Sequence, residues 1–218
     1  SQTFENILYV GFQFIHRTVF ICMCPIEVVS HVVHPAAQKV TFVPLVGGVG
    51  RVRMELHANS LAESLSRIYD GKFVPLHAPA RVSSRNIRDE LLKEDSLLPA
   101  IYLTQKLDIA VVGIGYPNEK SAIMATGYFK ENEIESLIDR KVAGELCMQF
   151  YDIYGDTAPY KDDNNVIGMD ISMLRSVPRS IGIAGGVEKL RAVRGAINGH
   201  YINTLITDIE CAEALISE

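Results

Sequence analysis

The residues best suited to hold a ligand form a glycine turn near the C-terminus of the 218-residue chain. A short apolar run, Ser180–Ala184, precedes Gly185-Gly186, and a helix is predicted to begin near Val187. Glycines allow a sharp turn and leave backbone amides uncovered by side chains, and a helix start directs its unpaired N–H groups into that turn. Lys189 stands in the first helical turn, where an incoming anion would give a cation a role. An ordinary strand–turn–helix connection with a solvated lysine fits the same residues.

Two further glycine turns follow apolar runs earlier in the chain. The run Val40–Val46 leads into Gly47-Gly48-Val49-Gly50-Arg51, and Asp108–Val112 leads into Gly113-Ile114-Gly115-Tyr116. Three such turns among alternating strands and helices predict an open α/β sheet, whose ligands bind beyond the C-terminal ends of the strands. The chain contains neither a GxGxxG fingerprint after a strand nor a GxxxxGKS/T P-loop. The turns therefore favour a small anionic ligand over a nucleotide.

Three polar side chains are further candidates for ligand contact. His57 is predicted at the mouth of the helix that follows the Gly47–Gly50 turn, where ligand contact and an ordinary surface position are both open. Glu145 and Asp152 lie before and at the start of a polar segment, 152–165. Carboxylates accept hydrogen bonds from sugar hydroxyls, whereas a phosphate needs the glycine amides and Lys189. Each carboxylate could equally cap a loop.

Composition and charge argue against several classes of protein. The formal net charge is −5 and no stripe of Lys and Arg stands out, which argues against nucleic-acid binding by this chain itself. The four cysteines form neither a CxxC motif nor a disulfide framework, so reduced cysteines in a cytoplasmic protein are expected. No signal peptide is visible, and no run of about eighteen apolar residues predicts a membrane span.

The chain is not expected to be an enzyme. It contains no GxSxG elbow, HExxH motif or Cys–His arrangement, and its six histidines are scattered. The acidic run Asp162–Asn165 resembles neither an EF-hand nor a metal cluster and is typical of a solvated loop. No catalytic residue, metal ligand or cofactor is therefore predicted.

The apolar pattern predicts one compact domain over residues 1–218, with no repeat and no linker. Asn59 is the predicted N-cap of one helix, and Thr207–Glu210 forms a predicted capping box for the last helix. The segment 144–151 fits either a helix or a strand. The other predicted elements are strands at 7–14, 18–22, 40–46, 73–76, 108–114, 166–169 and 201–206, and helices from Pro25 and at 83–92, 96–107 and 130–141.

The order of several short motifs resembles that of one family. The motifs are Leu45–Gly50, His57–Asn59, Ala110–Gly115, Gly127–Phe129, Phe150–Asp152, Val166–Gly168, Ala184–Lys189 and Ile202–Asp208. In this order they resemble the sugar-binding effector domain of SorC/DeoR-type bacterial transcriptional regulators, a group that includes the glycolytic-gene repressors. The match covers about Glu27 to Leu215. Each motif is weak alone, so their number and order carry the resemblance.

The resemblance implies a Rossmann-like α/β fold with a mostly parallel sheet and helices on both faces, related to sugar-phosphate isomerases and deaminases. It also implies a sugar or sugar phosphate effector and a homo-oligomer, dimer or tetramer, that the effector modulates. In this family the domain follows an N-terminal helix-turn-helix, so DNA contact is expected only through that module, which is absent from this sequence. By position, the effector contacts fall on Gly47, Gly48, Gly50, His57, Gly113, Gly115, Tyr116, Glu145, Asp152, Gly185, Gly186 and Lys189.

The sequence departs from the family at two points. Some relatives carry a basic residue just before the Gly-Gly turn, and one branch binds its sugar covalently through a lysine there. This chain has Val46 at that position, which excludes a Schiff base. The family's Ser-Trp-Gly-x-Thr-like loop is replaced by Phe20–Cys24, with Thr18 the only nearby hydroxyl, and residues before about Pro25 do not match. A rebuilt ligand loop and an impaired pocket both fit this divergence.

Three hypotheses follow. The leading one is an effector-sensing domain of a sugar-responsive transcriptional regulator. The second is a sugar-phosphate isomerase or deaminase, in which Glu145 or Asp152 would form an acid/base pair with His57. The third is an oligomerisation domain with an impaired pocket.

Overall fold

The computed structural model describes residues 40–48, 57–118, 121 and 126–217, together with the backbone of 18–21. The predicted strand at 7–14, the predicted helix from Pro25, and Gly50 among the predicted site residues lie outside the described residues.

Six parallel strands form the central sheet. They are β1 (Thr18–Ile21), β2 (Thr41–Pro44), β3 (Lys72–Phe73), β4 (Ile109–Gly113), β7 (Arg179–Ile183) and β8 (Thr204–Ile206). Their spatial order is β3-β2-β1-β4-β7-β8. Because the chain moves outward from β1 to β3 and then returns to the other side of β1, the direction of winding reverses between β1 and β4. In doubly wound sheets ligands bind at such a switch point. The predicted α/β class with a mostly parallel sheet is confirmed.

Helices cover both faces of the sheet, because successive strand residues point to opposite sides. Phe42 packs in a buried cluster with Leu61 and Leu65 of helix α1 (Ala58–Ile68). Val43 belongs to a larger cluster that includes Ala100 and Ala192. The remaining α-helices are α2 (Arg85–Leu91), α3 (Leu98–Thr104), α4 (Glu131–Asp139), α5 (Leu190–Asn198) and α6 (Ile209–Ser217).

The segment 144–151, ambiguous from sequence, is an antiparallel hairpin of β5 (Gly144–Leu146) and β6 (Gln149–Tyr151). Its two turn residues, Cys147 and Met148, have φ angles of 51° and 62°, as a type I′ turn requires. A Cβ atom on Gly144 would lie 2.5 Å from the Tyr151 hydroxyl and 2.7 Å from the Ala192 side chain. The hairpin therefore packs closely against α5.

Several predicted elements need correction. Asn59 is not the N-cap of α1, because His57 occupies that position. The capping box at 207–210 is also wrong, since Asp208 precedes α6 and its Oδ1 accepts a hydrogen bond from the Cys211 N–H at 2.8 Å. The predicted strand 166–169 makes only isolated bridges, because it lies across loops rather than along the sheet. The predicted loop 152–165 contains a 3₁₀ helix, Ala158–Asp163.

Asn59 instead holds the segment that follows β3. Its side-chain amide donates to the Leu76 carbonyl at 3.1 Å and its Oδ1 accepts from the Leu76 N–H at 3.0 Å. Leu76 is fully buried, so loss of these bonds would leave its N–H without a partner. We expect Asn59→Ala to lower the free energy of unfolding by about 2 kcal/mol, measured by urea denaturation. Asn86→Ala, on the exposed surface of α2, is the matched control, and equal losses in both variants would contradict the assignment.

Candidate functional site

The three glycine turns lie beyond the C-terminal ends of β2, β4 and β7. Since all strands of the sheet run parallel, these ends share one edge of the sheet. The turns lie on both sides of the switch point between β1 and β4. The fold therefore brings the turns to the edge where α/β sheets bind ligands.

The Gly47-Gly48 turn is closed by backbone hydrogen bonds. The Gly47 N–H donates to the Ile167 carbonyl at 2.9 Å and the Gly48 N–H to the Ala78 carbonyl at 2.7 Å. A Cβ atom on Gly47 would lie 2.5 Å from that Ala78 oxygen, so close backbone approach explains the glycine. The expectation of uncovered amides is therefore not met at this turn, and both N–H groups already have partners.

His57 and Tyr128 flank Gly48. The His57 Nδ1 atom lies 3.7 Å from the position a Cβ atom on Gly48 would take, and the Tyr128 hydroxyl donates to the Gly48 carbonyl at 3.2 Å. Arg81 holds Tyr128 in place by donating to its carbonyl at 2.6 Å. Tyr128 was not among the predicted site residues, although it lies in the Gly127–Phe129 motif that contributed to the family resemblance.

Glu145 lies directly over the turn that follows β4. Backbone hydrogen bonds of 3.0 and 2.9 Å join Gly115 and Glu145 in both directions, and the Glu145 Oε1 atom occupies the space that a side chain at position 115 would need. The Met148 N–H donates to Glu145 Oε2 at 2.9 Å. Gly115 is thus required so that the carboxyl group can pass across the end of β4. Tyr116, the next residue, is half-buried against the main core, and Gly113 is the last residue of β4.

The electrostatics of Glu145 are unusual for a carboxyl group. Burial raises its pKa from 4.5 to about 7, against the opposing effects of the Met148 N–H and the positive charge of Lys189. Lys189 is half-buried and forms no ion pair with any described carboxylate. The arrangement holds a proton-binding acid and a lysine that pairs with no described carboxylate within electrostatic range of each other.

The Gly185-Gly186 turn is only partly open. Gly186 has a φ of 95°, a conformation that glycine adopts without strain. Its N–H donates to the Asp208 Oδ2 atom at 2.5 Å, so this amide is covered, contrary to expectation. The amides of Gly185, Val187 and Glu188 make no hydrogen bond to any described residue. These three N–H groups and Lys189 are the donors that remain for an anion.

Asp152 lies apart from the other predicted residues. Its Oδ1 atom accepts hydrogen bonds from the N–H groups of Tyr154 and Asp156 at 2.9 and 2.8 Å, so it shapes its own loop. Its carbonyl oxygen would lie 2.6 Å from a Cβ atom on Gly195, which follows Lys189 by six residues. Six helical residues span about 9 Å. The structure therefore does not bring Asp152 to the Glu145–Lys189 side of the site.

A cavity of about 300 Å³ opens elsewhere, beneath α2. Its lining includes Arg88, Gln149, Tyr160 and Lys161 but none of the predicted site residues. Arg88 already donates to the Val166 carbonyl at 3.0 Å and to the Asp89 carboxylate at 3.2 Å. Because none of the predicted site residues lines this cavity and its half-buried cation Arg88 is already partnered, the glycine turns remain the candidate ligand site.

Two further properties hold for the part of the chain that the structure describes. No cluster of three or more His, Cys, Asp or Glu side chains there is arranged to hold a metal ion. No helix in the same residues is long and apolar enough to span a membrane.

Comparison with known proteins gives consistent matches. The family model described as "Putative sugar-binding domain" matches residues 26–217. The sorbitol operon regulator of Klebsiella pneumoniae is 30% identical over 181 residues, which are 83% of this chain and 58% of that protein. The transcriptional regulator LsrR of Escherichia coli K12 is 33% identical over 184 residues, 83% of this chain and 56% of that protein. The crystal structure of the full-length sorbitol operon regulator SorC from K. pneumoniae has a TM-score of 0.85 and 27% identity, over 93% of this chain and 67% of that one.

This chain thus spans less than two thirds of the length of those two curated relatives. One is named as an operon regulator and the other as a transcriptional regulator, and these names are consistent with the prediction that the chain is not an enzyme. The predicted family resemblance is confirmed, because the family model covers most of the chain and the fold agrees. The chain therefore belongs to the sugar-binding domain family of the SorC/DeoR-type transcriptional regulators.

Proposed function

We propose that this chain is the effector-sensing domain of a transcriptional regulator and that it binds a sugar or sugar phosphate at the glycine turns. The relation of Glu145 to Lys189 carries the proposal. A half-buried carboxyl group and a half-buried lysine lie within electrostatic range, yet they form no ion pair with each other. A ligand that offers both hydroxyl donors and a negative charge would satisfy both groups.

Each side chain has a distinct role in this proposal. Glu145 accepts hydrogen bonds from sugar hydroxyls, as carboxylates do in general. Lys189 and the amides of Gly185, Val187 and Glu188 bind the phosphate, through charge-assisted hydrogen bonds. In this proposal Glu145 recognises the hydroxyl groups at one end of the ligand, and Lys189 with the three amides recognises the negative charge at the other end.

The spacing of the strands determines how far apart these contacts lie. Adjacent strands lie about 4.8 Å apart, so Glu145, over β4, and Lys189, after the neighbouring β7, are close. The Gly48 turn lies after β2, two strands from β4, or about 10 Å away. Glu145 and Lys189 form the centre of the proposed site, and His57 and Tyr128 would meet the far end of an extended ligand.

The names of the relatives support a sugar or polyol effector and a regulatory role. One is a sorbitol operon regulator and another, from Bacillus subtilis, is a deoxyribonucleoside regulator. We propose that effector binding modulates a homo-oligomer and, through it, DNA binding by a longer protein. DNA contact would then be made by a helix-turn-helix outside this sequence, which fits the chain's net charge of −5.

A thermal-shift panel of matched pairs tests the proposal. The pairs are sorbitol and sorbitol 6-phosphate, deoxyribose and deoxyribose 5-phosphate, and ribose and ribose 5-phosphate, in phosphate-free buffer. A ligand at about 100 times its Kd stabilises the native state by about 2.7 kcal/mol, which for a chain of this size raises Tm by roughly 5–10 °C. We expect one phosphorylated member to produce such a shift and its unphosphorylated partner to produce a smaller one.

Two results would contradict the proposal. Turnover of any ligand in the panel would favour an enzyme. The absence of any shift across the panel would favour an assembly domain with an impaired pocket, as the divergent Phe20–Cys24 segment allows.

A further inference from the structure

One carboxylate joins the ligand turn to the last helix. The Oδ2 atom of Asp208 accepts the Gly186 N–H at 2.5 Å, while its Oδ1 atom accepts the Cys211 N–H in the first turn of α6 at 2.8 Å. The backbone carbonyl of the same residue accepts the Ala212 N–H at 3.0 Å. The Gly185-Gly186 turn and the start of α6 therefore share a single hydrogen-bonding group.

The Gly185-Gly186 turn and the Asp208 carboxylate are in such close contact that a displacement of one would displace the other. A Cβ atom on Gly185 would lie only 2.8 Å from Asp208 Oδ2, so there is no free space between the turn and the carboxylate. The hydroxyl oxygen of the preceding residue, Thr207 Oγ1, is buried and has no hydrogen-bond partner among the described residues. The carboxylate of Asp208 is thus the polar link between the two elements.

The position of Asp208 in the sheet separates it from the proposed ligand contacts. The strand order β4-β7-β8 places Glu145 on one side of the Gly185-Gly186 turn and Asp208 on the other. A ligand that approaches Glu145 and Lys189 meets the turn from the β4 side. Asp208 supports the turn from behind and does not need to contact the ligand.

Helix α6 lies at the surface of the domain. Ile209 and Ile216 are 58% and 86% exposed, so the helix presents apolar side chains outward. At its far end the Leu215 carbonyl accepts a hydrogen bond from Arg194 Nη2 of α5 at 3.1 Å. Both ends of α6 are therefore attached to the segment that runs from the ligand turn through α5.

We propose that Asp208 is a positioning residue that couples the Gly185-Gly186 turn to α6, so that a change at the ligand turn reaches the outer surface of the domain. The relevance of this coupling to effector sensing rests on the proposed function. The coupling itself is a property of the unliganded chain, and coupling between two sites is reciprocal.

Amide hydrogen exchange in a double-mutant cycle tests the coupling without any ligand. Gly185→Ala places a methyl group against Oδ2, and we expect exchange of the Cys211 and Ala212 amides to rise at least tenfold. In an Asp208→Ser background the same change should raise it less than twofold, because serine caps a helix but is too short to bridge to Gly186. Gly48→Ala, whose Cβ would have its nearest neighbour at 3.7 Å, is the matched control and should leave α6 unchanged.

The reverse direction is measured in Asp208→Ser alone, which keeps the inference testable if Gly185→Ala does not fold. Exchange of the Gly186 amide should rise at least tenfold, while that of Cys211 stays within about threefold because the cap remains. Equal effects of Gly185→Ala in both backgrounds, or unchanged Gly186 exchange in Asp208→Ser, would overturn the coupling. If the domain bound no sugar but Gly185→Ala still affected α6 only when Asp208 is present, the proposed function alone would be disproved.

Discussion

Replacement of Lys189 by alanine is expected to weaken the binding of a sugar phosphate roughly 30- to 150-fold. A hydrogen bond to a charged group contributes about 2–3 kcal/mol, and each 1.4 kcal/mol is a tenfold change in Kd. The loss of affinity should be near the upper end of this range for two reasons. Lys189 is half-buried, and it forms no ion pair with a described carboxylate that would compete with the phosphate for its charge. Binding of the unphosphorylated sugar should change less than threefold, since its hydroxyls are assigned to Glu145.

Isothermal titration of both members of the matched pair measures this difference. Lys161→Ala is the control, because Lys161 is an exposed lysine that lines the cavity beneath α2. The charge of the protein changes equally in both variants, so a general electrostatic effect is removed from the comparison. If Lys161→Ala weakened binding and Lys189→Ala did not, the ligand would lie in that cavity and the assignment to the glycine turns would be wrong.

The fold, and the meeting of the three glycine turns at one edge of the sheet, could be predicted because both depend on short stretches of sequence. Apolar runs such as Val40–Val46 and Asp108–Val112 end in glycines, and in a parallel sheet such ends meet at one edge. The prediction needed no knowledge of which strands are neighbours. The helix predicted at 83–92 was found for the same reason, since its Ser84 cap is a bond between residues three apart.

The sequence could not show whether the N–H groups of the turns are already hydrogen-bonded, because the groups that accept from them are distant in sequence. The Gly47 N–H is covered by Ile167, and the Gly186 N–H by Asp208, 22 residues away. A glycine turn signals a sharp bend but does not show whether its amides are open. Asn59 was misread for the same reason, since its side chain fits an N-cap locally yet bonds Leu76, 17 residues further on.

Replacement of Glu145 by glutamine is expected to stabilise the unliganded domain at pH 8 by about 3 kcal/mol more than at pH 4.5. The folded-state pKa of Glu145 is about 7 and its ordinary value is 4.5. For an acid whose pKa is raised by folding, the stabilisation due to the bound proton is complete below about 4.5. It is lost progressively as the pH rises to about 7, at about 1.4 kcal/mol per pH unit. Glutamine keeps an oxygen for the Met148 N–H and carries no charge, so it mimics the protonated acid at every pH.

The same substitution should change the pH dependence of ligand binding. An anion beside Lys189 repels an ionised carboxylate, so the wild-type domain should bind a sugar phosphate more weakly as the pH rises through 7. Titration of the phosphate group itself, with a pKa near 6, affects wild type and variant alike. The ratio of the two dissociation constants therefore isolates the contribution of Glu145.

Urea denaturation and calorimetric titration at pH 4.5, 5.5, 7 and 8 measure both effects. The stability difference corresponds to a relative rise in Tm of roughly 6–12 °C between the ends of the range for a protein of this size. Glu135→Gln, at an exposed position of α4, is the matched control and should show no pH-dependent difference from wild type. A stability difference between Glu145→Gln and wild type that stayed constant with pH would mean that Glu145 is ionised throughout. The ratio of the two dissociation constants for a sugar phosphate would then also stay constant with pH, and the expected weakening through pH 7 would be wrong.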